Sequence, residues 1–162
     1  MVLRCTARML EVLGKRDVTV VDDAASDEDW YANIVWIDRR KYLLLTHAAT
    51  LFPVLAADVR ARDLRPPGPF VVERIQAALV DEDLPVDVLG ALDRDAVSLA
   101  RTASRQVLGF MNDTAQTSRW IIEDAGGLEH ADLDELNRFL RRTLHNRGGF
   151  HRPLELVAAR LR

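Results

Sequence analysis

Cysteine is almost missing. The chain of 162 residues holds one, Cys5, which excludes an internal disulfide and fits a reducing compartment. Long apolar runs are missing too: none approaches the length of a membrane span. The opening Met1-Val2-Leu3-Arg4-Cys5-Thr6 has no extended apolar stretch of the signal-peptide kind. A cytoplasmic protein without a membrane partner is the expectation. There is no glycine-rich phosphate loop, no pair of Cys-x-x-Cys motifs and no Gly-x-Ser-x-Gly elbow. That removes the commonest nucleotide folds, zinc ribbons and α/β-hydrolase chemistry. The four histidines, His47, His130, His145 and His151, have no spacing that suggests zinc. No cofactor and no metal are expected.

What is there describes an ordinary folded domain. Hydrophobic residues make up 48% and charged residues 29%, and one domain over 1–162 can bury a sizeable core. Net charge is −3, unevenly spread. Residues 138–162 carry seven arginines against Glu155 alone, a net of +6, and the other fifteen basic and twenty-four acidic residues net −9. Such asymmetry means a basic face for an acidic partner, or a tail that docks on the protein's own acidic surface. Cys5 reads as a small buried residue at a strand end rather than a nucleophile.

The pattern predicts an α+β fold: a small, largely antiparallel sheet packed against several helices, with a basic helical segment at 131–162. Val2–Cys5 is a short strand, Thr6 caps a helix through Leu13, and Val18–Val21 is another short strand. The acids Asp22, Asp23, Asp27, Glu28 and Asp29 form a solvated loop with no glycine in calcium-loop register. Trp30–Asp38 and Lys41–His47 form a hairpin, apolar on both faces and therefore central. Within it Asn33 is a polar residue in need of partners. Leu51–Ala57 is an edge strand because of Pro53, with a helix as the alternative. Helices are expected over 70–80 and 85–92, a strand over 96–101, and helices over 132–145 and 153–161.

The stretch Arg101 to Asp113 organises the rest, as the handover from a strand to the longest helix. Thr102 or Ser104 can cap that helix, and the pattern runs to about Ala125, before Gly126-Gly127. Val107, Phe110, Met111, Ser118, Ile121 and Ile122 gather on its inner side. Arg105, Gly109, Asn112, Gln116, Arg119 and Glu123 gather opposite. They make either a solvated face with an Arg119–Glu123 pair or a site. For the site, Gly109 weakens a helix interior, its bareness admits a ligand, and Arg105 and Asn112 flank it by one turn. Asn33 is the fourth candidate ligand-binding residue.

Three blocks together carry a resemblance: Leu3-Arg4-Cys5-Thr6; Trp30-Tyr31-Ala32-Asn33 with Ile37-Asp38-Arg39-Arg40-Lys41; and Arg101-Thr102-Ala103-Ser104-Arg105 through Leu108-Gly109-Phe110-Met111-Asn112-Asp113. In that order they resemble a bacterial family of uncharacterised proteins with "CTKKLL", "WYAN…DRRK" and "RSVLGSMND" motifs. In some members this unit follows a domain related to plasmid open reading frames. Ala7-Arg8 stand here in place of the usual lysines, and Phe110 where the family often has serine. The resemblance implies no reaction; by analogy it suggests mobile elements or defence of the toxin–antitoxin kind.

Three functions remain open. A binding or regulatory module would offer Arg138, Arg141, Arg142 and Arg147 to nucleic acid or an acidic protein. Those arginines are otherwise a solvated helix face. A small metal-independent ribonuclease would use His47 as acid or base, Arg105 on the phosphate, and Asn112 or Asp113 to orient it. A small-molecule regulator would line a pocket with Trp30, Trp36 and Asn33 beside Arg105.

Overall fold

Strands β3 (Trp30–Ile37) and β4 (Arg40–His47) pair antiparallel over their whole length, from Trp30 opposite His47 to Ile37 opposite Arg40. Their turn is Asp38-Arg39, both at positive φ, 47° and 62°, the backbone a two-residue hairpin needs to match the strand twist. Both faces are covered because both are apolar. Trp30, Ile34, Leu43 and Leu45 look into one core, and Tyr31, Val35, Tyr42 and Leu44 into another.

The computed structural model describes residues 1–14, 19–146 and 148–162. Six strands lie in the order β2-β6-β1-β3-β4-β5, with β1 at Val2–Cys5, β2 at Val20–Val21, β5 at Pro53–Ala56 and β6 at Ser98–Arg101. The fold is α+β as expected, and the sheet is mixed. Antiparallel pairing belongs to β3, β4 and β5, whereas β1 runs parallel to both β3 and β6, and β6 parallel to β2. A crossover through a helix returns the chain in the same direction, and α1 (Ala7–Leu13) makes such a crossover between β1 and β2. Of the expected strand from Val18, Val20 and Val21 are observed; Val18 lies outside the described residues, as does Arg147.

Two helical layers cover the sheet. On the Trp30 side lie α1, α2 (Pro67–Val80) and α5 (Pro153–Ala159); on the Tyr31 side lie α3 (Arg105–Asp124) and α4 (Leu133–Arg142). Their starts follow local chemistry. Thr6, Ser104 and Asp132 accept from the backbone N–H three residues on, and proline opens α2 and α5. No helix among the described residues is long and apolar enough to cross a membrane.

Two expected helices are corrected. Residues 85–92 form turns, with only i to i+3 bonds such as Val88 N–H to Pro85 O and Gly90 N–H to Asp87 O. Leu89 is the one fully buried apolar side chain there, too little to hold so short a helix. The helix expected to reach His145 stops at Arg142. The chain then forms a small hairpin, β7 (His145–Asn146) with β8 (Phe150–His151). At β5 the edge-strand reading holds and the helical alternative falls. Its outer edge is closed by a side chain: Asn137 of α4 accepts from Leu55 N–H at 2.8 Å and donates to Leu55 C=O at 2.9 Å. One amide thereby does what a seventh strand would do.

Candidate functional site

Helix α3 has the two faces its sequence describes. Val107, Phe110, Met111, Thr114, Ser118 and Ile122 are buried, while Arg105, Gly109, Asn112 and Asp113 are exposed. A side chain built at Gly109 would meet nothing within 4 Å. The bare patch faces open solvent, and no described side chain converges on it. Arg119 donates to Gln116 Oε1 at 3.4 Å and to Trp36 C=O at 3.2 Å rather than pairing with Glu123. The physical consequence at 109 is simple. Gly109→Ala should raise stability by about 0.5–1 kcal/mol, the helix-propensity difference. A drop in the urea midpoint would show that the position is crowded after all.

The other candidates are scattered. His47 is fully buried, its ring tilted against Trp30 at 5.2 Å, with Nδ1 3.1 Å from Thr50 Oγ1. It sits on the rung of Trp30, in the Trp30-side layer, and the structure does not bring it to Arg105 or Asn112. Trp30 is core, while Trp36 is 52% exposed. Asn33 finds the partner its position demands: its Oδ1 accepts from Thr6 Oγ1 at 2.7 Å. Asp113 faces His145, whose imidazole burial pushes below its ordinary range while the carboxylate opposes that shift. His145 also meets the Phe110 ring edge-on at 4.4 Å, so the small hairpin rests against the N-terminal half of α3. Cys5 is buried, its thiol pushed up to about 12 by burial, and stays protonated.

The arginines of α4 turn inward onto the protein's own acids. Arg138 donates to Asp81, Arg141 to both Asp81 and Glu82 at 3.0 Å, and Arg142 to Glu82. Arg141 is 2% exposed and lies over the Phe52 ring at 5.1 Å. The hydrogen bond from Arg138, then that from Arg141, holds the Asp81 carboxyl below its ordinary value against the opposing cost of burial. The acidic loop is engaged as well: Glu28 pairs with Arg160 at 2.8 Å, and Asp29 with Arg4. Among the described residues no group of three or more His, Cys, Asp or Glu is placed to hold a metal.

What the sequence reading did not single out is Arg4. It is the one charged residue of an otherwise apolar strand, and that was the available signal. Arg4 is 3% exposed. Its Nε reaches Asp29, its other nitrogens the carbonyls of Arg101 at 3.0 Å, Asp23 at 2.9 Å and Ala24 at 2.8 Å. One guanidinium thus ties the ends of β1 and β6 to the loop leaving β2. Above it opens a crevice of about 470 Å³, lined by Arg4, Val21, Asp22, Asp23, Arg101 and Thr102 among others.

The crevice lies at the carboxyl ends of the parallel strands β2 and β6, with Arg4 reaching in from β1. β1 and β6 are parallel neighbours, ending together at Cys5 and Arg101. The helix after β1 lies on the Trp30 side of the sheet and the helix after β6 on the other. Where neighbouring parallel strands send their chains to opposite faces, their carboxyl ends part and leave room for a ligand. Arg101, at the end of β6, lines the crevice and is exposed; Arg105, four residues on at the first position of α3, is exposed outside that lining. Neither guanidinium has a partner among the described residues. The first turn of a helix adds unsatisfied N–H groups and positive potential.

Fold and site define an α+β domain whose parallel strands end in an open crevice. The chain belongs to the family described as a domain of unknown function, DUF6933, whose family model matches residues 2–156. No curated protein matches it.

Proposed function

We propose that this protein is a binding module for nucleic acid, and that it holds a phosphodiester of a single strand in the crevice at the ends of β1 and β6. The observation that carries the reading is the exposed, unpartnered Arg101 in the crevice lining, with a second exposed, unpartnered arginine, Arg105, four residues on at the start of α3. Arginine forks suit phosphate oxygens. Asp22 and Asp23 line the same crevice, so its charge is mixed. A monoanionic diester suits a lining of mixed sign better than the dianionic end of a nucleotide or an acidic peptide does. Arg138, Arg141 and Arg142, already bound to Asp81 and Glu82, supply little to such a partner. A mobile-element or defence setting is compatible with a nucleic-acid ligand and is part of the proposal.

The test compares a labelled single-stranded RNA with a nucleoside monophosphate and a polyglutamate peptide. RNA binding should fall about tenfold or more in an Arg101→Ala/Arg105→Ala variant, and the log–log salt slope should drop by about one for each lost phosphate contact. The melting temperature should stay put, since both side chains are exposed. Preference for the monophosphate would turn the reading to a small-molecule regulator, and preference for polyglutamate to an acidic protein partner. Binding that ignores salt would remove the phosphate contact. The enzyme alternative built on His47 as acid or base has no support from the geometry, because His47 is sealed in the core.

A further inference from the structure

At the far end of α3 the surface changes character. Trp120 is 64% exposed and Phe139 of α4 is 49% exposed. Two hollows share Ile121: one of about 460 Å³ runs along α3 beside Trp120, and one of about 400 Å³ lies between α3 and α4, lined by Leu136 and Phe139 among others. Large apolar side chains rimmed by polar ones are an unusual thing for a folded domain to leave in water.

The rim is of one sign. Glu123 and Asp124 border the Trp120 hollow, and Asp132 and Glu135 border the other. Asp132 caps α4 by accepting from Glu135 N–H at 2.9 Å. Glu123, Asp124 and Glu135 have no ion-pair partner among the described residues, whereas Asp81, Glu82, Asp29 and Glu28 are paired. His130 is the only basic side chain lining either hollow. The end of α3 and the start of α4 thus carry adjoining hollows bordered by carboxylates without ion-pair partners.

We infer that this α3–α4 groove is a docking site for a cationic amphipathic segment of a partner protein, which lays an apolar stripe between Trp120 and Phe139 and sets lysines or arginines against Glu123, Asp124 and Glu135. Charge selects the occupant. A nucleic acid strand or an acidic peptide meets four carboxylates here, and a neutral apolar helix leaves them without partners. Helix-in-groove recognition supplies apolar anchors at helical spacing, and the rim charges supply orientation and rate. The surface is separate from the crevice at the other end of α3, so the two inferences stand or fall apart.

The experiment titrates the full chain with two labelled synthetic peptides of identical apolar pattern, one of Leu and Lys, the other of Leu and Glu, and follows fluorescence anisotropy. The Leu/Lys peptide should bind and the Leu/Glu peptide should not. Trp120→Ala, which alters an exposed side chain and should leave the melting temperature unchanged, should weaken binding by about tenfold or more. Glu123→Gln/Asp124→Asn/Glu135→Gln should do the same and flatten the salt dependence. Sedimentation of the free protein is the companion measurement. Equal affinity for all three proteins, or no binding of the Leu/Lys peptide, would overturn the inference. A concentration-dependent dimer abolished by Trp120→Ala would overturn it in favour of a second copy of this chain.

Discussion

Arg4→Met should cost about 3–5 kcal/mol of folding stability, the range found when a buried ion pair loses one partner. The reason lies in what is left behind rather than in the attraction lost. Asp29 is 3% exposed and would keep its charge in a place water barely reaches, with Ser26 N–H as its remaining donor at 2.9 Å. The carbonyls of Asp23, Ala24 and Arg101 would lose donors as well. Against a usual total of about 5–15 kcal/mol, that is a large share. Arg4→Lys should recover little, because one ammonium cannot span an acid and three carbonyls in the plane of a guanidinium. Asp29→Leu added to Arg4→Met should recover part of the loss, since removing both charges relieves the stranded one. Chemical denaturation of the three variants checks the order. If Arg4→Met alone stays within about 1 kcal/mol of the parent, the cluster is solvated and the argument fails. The same variant should also loosen the crevice, because Arg4 is its floor and holds the Asp23–Ala24 segment in place.

Asn137→Leu should cost about 2–4 kcal/mol, from two buried backbone groups left without partners at about 1–2 kcal/mol each. Leucine keeps the branching of asparagine but is bulkier and not planar, so crowding at this buried position adds to the loss. Leu55 N–H and C=O point away from β4 and are met only by the Asn137 amide, whose Nδ2 donates a second bond to Leu133 C=O at 3.0 Å. Beyond lost stability there is a second effect. A bare edge of Val54, Leu55 and Ala56 offers itself to another strand, so the variant should aggregate or dimerise at concentrations where the parent is monodisperse. Light scattering beside urea unfolding reads both. A stable, monodisperse Asn137→Leu protein would mean that water replaces the amide at no cost.

Much of the fold was legible because it is written locally. The β3–β4 hairpin shows as alternation with apolar residues on both faces, and its buried Leu43, Leu44 and Leu45 confirm the central position. Helices α1, α3 and α4 were marked by Thr6, Ser104 and Asp132, whose side chains cap them as hydroxyl and carboxylate caps do. Residues 85–92 misled because a helix-compatible pattern with a single buried leucine has no face to pack. The site was less legible. Gly109 drew attention as a costly residue in a helix, yet a cost paid on an open face points to no pocket. Arg101 lay inside the stretch singled out but at its edge, and only the crevice shows what it faces. The three arginines of α4 formed a conspicuous cluster in sequence, and the acids that neutralise them sit at the end of α2.

By itself, then, the sequence determined the family, the α+β class, the central hairpin and the capped helix starts, since periodicity and capping act within a turn or two of the chain. Only the tertiary structure decided that β1 lies between β3 and β6, that Arg4 meets Asp29 from 25 residues away, and that Asp81 meets Arg138 and Arg141 across 57 and 60 residues. Buried charges and parallel neighbours are chosen by which distant segments pack together, and that choice belongs to the whole chain.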